Sequence, residues 1–225
     1  MYQTSNVISL EGDAIAAAPS EFRMHEAHHR IANDLAVIAS MVRLQATALK
    51  DRAEAITAED ARDVLAGAAS RIDAVGRLHR TLCYSGGAPM LADFLKGICR
   101  DAASFAAVPG SDVRCRVDAV PEISAERTRA LGLIVHELVL NALKYAHPSG
   151  VPVRIDIWCR EEQGVIALDV ADDGVGFPVG FDPECDGGFG FRMMRELARQ
   201  LYARLTFEAT PLGLICRLRA RPIGG

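Results

Sequence analysis

The hydrophobic period of this chain changes at Gly86-Gly87, dividing it into two units that cannot share one architecture. Upstream, Met24, His28, Ile31, Leu35, Ile38, Val42, Gln45 and Leu49 follow one another at steps of four and three, the spacing of a helical-bundle seam. After a polar stretch from Asp51 to Asp60, Ala61, Leu65, Ala68, Ile72, Val75, His79 and Leu82 repeat the pattern. The two runs predict an antiparallel helical hairpin. One hairpin cannot bury both apolar faces by itself, so two copies pairing into a dimeric four-helix bundle is the simplest completion.

Downstream the residues alternate. Strands are expected around Val113, Cys115 and Val117; Val153 to Cys159; Ile166 to Val170; Leu205 to Ala209; and Leu214 to Leu218. Helical stretches separate them at Met90 to Phe105, Ser124 to Tyr145 and Phe191 to Tyr202. Turns at Glu161 to Gly164 and Pro211-Leu212-Gly213 predict antiparallel hairpins with the helices on one face, a two-layer α/β sandwich. The expected fold is therefore α + α/β, with a flexible leader at 1–20, a dimerisation hairpin at 21–86 and the sandwich at 87–225.

Charge narrows the function classes. A net charge of −4 provides no basic field for a polyphosphate backbone, so no nucleic acid is expected and any phosphate must be held locally. The apolar stretches, such as Ala36 to Val42, fall far short of the roughly 20 residues a spanning helix needs, and the first basic residue is Arg23. No membrane association and a cytoplasmic location are expected. The six cysteines form no C-x-x-C pair and read as buried free thiols. Hairpin and sandwich together use up the chain, so the expected input is a separate sensor protein, the leader or a lid.

Three polar motifs stand out in the sandwich. Glu137, Asn141 and Lys144 fall at i, i+4 and i+7 on one helical face, while Leu133, Leu140 and Leu143 are expected to face the sheet. Carboxylate and amide oxygens suit a hard metal, and an ammonium suits phosphate, so the row fits a magnesium-bound triphosphate. It fits a solvated face with an i, i+4 pair equally well. The strand ending at Val170 runs into Asp172-Asp173-Gly174-Val175-Gly176, a D-x-G-x-G, and Gly188-Phe189-Gly190 follows 12 residues after Gly176. Each glycine pair alone also fits a tight turn.

In this order the motifs resemble the N, G1 and G2 boxes of the ATP-binding superfamily shared by gyrase, Hsp90, MutL and histidine kinases. The resemblance implies that Asp172 accepts from the adenine amino group and that Asn141 coordinates Mg2+. It implies that Gly174 and Gly176 admit the base and that Gly188 and Gly190 serve a mobile lid over Phe177 to Gly187. The helix starting near Gly190 would offer its N-terminus to the phosphates. Upstream, Glu26-Ala27-His28-His29-Arg30-Ile31-Ala32-Asn33-Asp34-Leu35 resembles the phosphoacceptor box of histidine kinases related to the HWE group. Arg77 to Tyr84 is similar to the end of that subfamily's second helix. The sequence departs from the pattern at Ala32, at Tyr202-Ala203 where Gly-Gly is usual, and at Asp169-Val170-Ala171 where the HWE group has Trp-x-Glu; His136 matches.

Helix geometry separates the two histidines. His28 lies on the seam with Ile31 and Leu35, whereas His29 is about 100° round the helix, where a second domain can reach it. The resemblance also points to His29, directly before Arg30. The implied reaction is autophosphorylation of His29 by ATP, with Glu26 or Glu137 orienting the ring or taking its proton and Arg30 holding phosphate oxygens or forming a surface ion pair. Transfer to an aspartate of a response-regulator receiver domain would follow. Two rivals remain: a histidine phosphotransferase that uses no ATP, and an anti-sigma-like binding protein of the same superfamily.

Overall fold

The computed structural model of the chain describes residues 35, 36, 38, 39, 42, 43, 46, 47, 57–84, 91–105, 109–118 and 122–221. The eight positions between 35 and 47 are helical. They are followed by α1 (Ala58–Tyr84), α2 (Leu91–Phe105), β1 (Asp112–Val117), α3 (Ala125–Tyr145), β2 (Arg154–Glu162), β3 (Val165–Asp172), α4 (Phe189–Gln200), β4 (Ala203–Thr210) and β5 (Gly213–Ala220). The strands form one sheet in the order β1-β2-β3-β5-β4.

Local chemistry accounts for the element ends. The Ser124 hydroxyl accepts from the Arg127 N–H at 3.3 Å and caps α3. Gln163 and Gly164 both have positive φ (52° and 75°), the conformation of a two-residue hairpin turn that follows the strand twist between β2 and β3. Helix α4 stops at Tyr202, which takes the left-handed conformation (φ 51°) that a glycine would take more easily. Tyr202-Ala203 stands where the resembled pattern has Gly-Gly, and here the tyrosine itself takes the left-handed turn.

The two expected hairpins, β2–β3 and β4–β5, are antiparallel, and β3 pairs antiparallel with β5. β1 does not continue that scheme. It pairs parallel with β2, Cys115 opposite Ile157, because α3 is a crossover between them. The sheet is mixed.

Helices α2, α3 and α4 cover one face. Ile155, Ile157, Cys159, Ile166, Leu168, Val170, Cys216 and Leu218 pack there against Leu95, Leu131, Ile134, Val135, Leu138, Ala142 and Met194. The opposite face is polar. Asp169, 8% exposed, lies between Arg160 at 3.0 Å and Arg219 at 2.5 Å, and Glu208 pairs with Arg217.

Leu133 departs from expectation. It does not face the sheet but joins a second cluster with Ala74 and Val75 of α1 and Phe189 and Met193 of α4, against which Ile38 packs. Helix α3 is buried on both sides, from Thr128 to Val139, so one apolar face could not be read from its period. Leu143 does pack on the main core.

Candidate nucleotide site

Two elements build the site: the C-terminal half of α3 and the end of β3. On α3, burial falls steadily along the predicted row. Glu137 is fully buried, Asn141 half-buried and Lys144 exposed. A solvated face would expose all three, so that alternative fails. The Asn141 Nδ2 is buried and has no hydrogen-bond partner among the described residues. An amide so placed costs roughly 1–3 kcal/mol unless a ligand completes it. It can donate to a phosphate oxygen or, turned over, present Oδ1 to a cation.

The Asp172 box is fastened to the end of that helix. The Val175 N–H donates to the Ala146 carbonyl at 2.9 Å. A Cβ on Gly174 would lie 2.5 Å from the Ala146 Cα, so Gly174 is required by this close approach of loop to helix. Gly176 is required by its backbone (φ 73°), and a Cβ there would meet only Ala209 at 3.7 Å. Neither glycine needs a bound base to explain it.

Asp172 ends β3 half-buried, and its Oδ1 accepts from the Gly174 N–H at 2.9 Å. Burial pushes its carboxyl above the ordinary value, only partly offset by the N–H groups of Gly174 and Leu214. Asp173 does a different job. Its Oδ1 accepts from the Arg154 N–H at 2.8 Å and lies 3.2 Å from His147 Nε2, tying β2 to the end of α3. Burial opposes ionisation there, but the Arg154 N–H and His147 outweigh it and hold the carboxyl below the ordinary value.

The second glycine box opens α4. Gly188 is its N-cap, with no side-chain cap and nothing within 4 Å of where a Cβ would be. Phe189 is buried on Leu133, and Gly190 stands in the first turn. The expected lid segment makes contacts with α4 and β4 in this conformation. Phe177 and Phe181, 4.8 Å apart, meet Phe191 of α4 at steep ring angles, and Phe177 also meets Phe207 of β4. Arg195 Nη1 donates to the carbonyls of Pro183 at 2.6 Å and Asp186 at 3.3 Å.

Two family models match in tandem, "Histidine kinase" over residues 26–106 and "Histidine kinase-like ATPase domain" over 111–219. The chain belongs to the histidine kinase family. It is 28% identical to the sensor histidine kinase PdtaS of Mycolicibacterium smegmatis over 89% of this chain and 40% of that protein. It is 29% identical to blue-light-activated histidine kinase 2 of Erythrobacter litoralis over 87% of this chain and 56% of that protein. The chain thus spans about half or less of these relatives' length. In fold it is similar to a blue-light activated histidine kinase of Erythrobacter litoralis (TM-score 0.70, 24% identity, 94% of this chain and 62% of that one) and to the histidine kinase domain of that protein (TM-score 0.68, 23% identity, 89% and 94%).

Glu26, His29 and Arg30 lie outside the described residues. The structure does bring α1, which follows them in the chain, onto the ATPase-like unit: Ser70 Oγ of α1 lies 3.2 Å from His136 Nε2 of α3. Motif reading missed four supporting residues. His147 and Arg195 belong to no motif, and Ser70 carried no signal. Gly213 was visible only as a turn residue, yet a Cβ on it would fall 1.7 Å from the Asp172 carbonyl oxygen. Among the described residues no helix is long and apolar enough to cross a membrane.

Proposed function

We propose that the chain is an ATP-dependent histidine autokinase that phosphorylates its own His29 and passes the phosphate to an aspartate of a response regulator, acting in the cytoplasm. The observation that carries this is the graded row on α3, with the buried, partnerless Asn141 Nδ2, beside the Asp172 box fastened to the same helix. Asp172 accepts from the adenine amino group, and its two backbone donors orient it for that task. Lys144, exposed at the mouth, neutralises phosphate oxygens, and the uncapped start of α4 at Gly188 and Gly190 offers N–H groups to them. Mg2+ would be held by the Asn141 amide oxygen together with phosphate oxygens, hard donors that suit it. Bound there, it would offset charge on the transferring phosphoryl group.

His29 attacks the γ-phosphorus in line through a neutral imidazole nitrogen. With a reference pKa of about 6.5, an unperturbed histidine needs no strong base at neutral pH. Glu26 or Glu137 orients the ring or takes its proton, and Arg30 holds phosphate oxygens. Dimerisation is supported by four residues on the predicted seams, Leu35, Val42, Leu65 and Ile72, which are 60%, 48%, 70% and 39% exposed in the single chain. A second copy would cover them. A separate sensor protein is the proposed input.

Nucleotide binding separates this reading from the phosphotransferase. Calorimetry with Mg2+ and ATP should show binding that Asn141→Ala abolishes; a phosphotransferase would bind none.

A further inference from the structure

Away from the nucleotide site, two thiols meet at an edge of the sheet. Cys99 lies on α2 and Cys115 on β1, an edge strand. The sequence suggested buried thiols throughout, and Cys159 and Cys216 are buried, but Cys99 and Cys115 are half-buried and Cys185 is exposed. The two thiols interact across the contact between α2 and β1. Both line an open cavity of about 500 Å³ with Asp93, Lys96 and Arg100.

The pair is chemically unequal. The interaction with Cys99 draws the Cys115 thiol below its ordinary value; burial opposes this and the Lys96 charge assists it. The same interaction, then burial, pushes Cys99 up. Burial pushes Cys159 up to about 12. Cys185 is raised by its Asp182 hydrogen bond despite its exposure. One accessible nucleophilic sulfur beside one protonated thiol is the arrangement that stepwise thiol oxidation needs.

We propose that Cys99 and Cys115 form a redox-active dithiol that reduces a hydroperoxide and closes to a disulfide joining α2 to β1. The Cys115 sulfur attacks a peroxide oxygen. An S–O bond forms as the O–O bond breaks, and the leaving hydroxide takes a proton to become water. The Cys99 sulfur then attacks the sulfenyl sulfur of Cys115. The S–S bond forms as the S–O bond breaks, and the departing oxygen leaves as a second water with the Cys99 proton. Two thiols are oxidised and one hydrogen peroxide is reduced to two waters. Because α2 lies between α1 and β1 in the chain, the bond would fasten that connecting helix to the sheet.

The full chain treated with hydrogen peroxide at neutral pH, then alkylated and mapped by peptide mass spectrometry, tests this. A Cys99–Cys115 disulfide with both thiols lost is expected while Cys185 is still alkylated. In Cys99→Ser, dimedone should trap a Cys115 sulfenic acid; in Cys115→Ser, Cys99 should stay reduced. On the untreated wild type, iodoacetamide should modify Cys115 faster than Cys185, a readout that needs no variant. Oxidation of Cys185 before the pair, a Cys115–Cys159 bond in its place, or slower alkylation of Cys115 than of Cys185 would overturn the proposal.

Discussion

Ser70 Oγ on α1 lies 3.2 Å from His136 Nε2 on α3, the helix that also carries Asn141. Beside this contact Ala74 and Val75 are buried against Leu133, Phe189 and Met193, so α1 is attached to both boxed helices of the ATPase-like unit. Leu133→Ala should lower stability in urea unfolding by about 2–5 kcal/mol. Ser70→Ala should cost about 1 kcal/mol, and the Ser70→Ala/His136→Ala cycle should show coupling above roughly 0.5 kcal/mol. A loss at Leu133 no larger than at Ser70 would contradict the packing.

Asp172 and Asp173 are neighbours with opposite shifts from an ordinary 3.8. Between 3.8 and its raised folded value, Asp172 holds a proton in the native state that the unfolded chain has lost. Its contribution to stability is therefore full below 3.8 and is lost as pH rises through the folded value. The contribution of Asp173 is full above 3.8 and is lost as pH falls through its depressed folded value. Carboxyl-carbon NMR titration should place the Asp172 midpoint above that of Asp173. Adding an adenine nucleotide should lower the Asp172 midpoint, because a donating amino group favours the carboxylate.

Gly213 and Gly174 hold Asp172 in place from two sides. A Cβ at Gly213 would strike the Asp172 carbonyl oxygen, and one at Gly174 the backbone of Ala146. Gly213→Ala and Gly174→Ala should each destabilise by at least about 1–3 kcal/mol. Gly188→Ala, with open space around it, should not, and comparative thermal unfolding of the three variants checks the order.

Arg195 ties α4 to the segment over Phe177 to Gly187 through the Pro183 and Asp186 carbonyls. Arg195→Ala should speed amide hydrogen exchange in that segment and leave β2 and β3 unchanged. Unaltered exchange there would show that the four phenylalanines hold the segment without it.

The hairpin turns and the order of the boxes were legible because both are local: Gln163-Gly164 supplies the turn conformation, and Asn141, Asp172 and Gly188 follow one another along the chain. The parallel β1–β2 pairing was not. Its crossover α3 is buried nearly all round, so no single apolar stripe told which strands it joins or that Leu133 faces away from the sheet. The site shows the same limit. Asn141, Lys144 and Glu137 could be placed on one face by spacing, but that the face runs from buried to exposed is a matter of tertiary packing that spacing does not carry. Gly174 carries a packing role, against Ala146, that the motif alone assigned to the ligand.

Transfer of label from γ-labelled ATP to His29 tests the proposed chemistry most directly. The purified chain incubated with Mg2+ and labelled ATP should take up label that acid removes and base does not, and His29→Ala and Asn141→Ala should each take up none. Label that persists in His29→Ala, or an unlabelled wild type that instead accepts phosphate from a phosphorylated receiver domain, would contradict it.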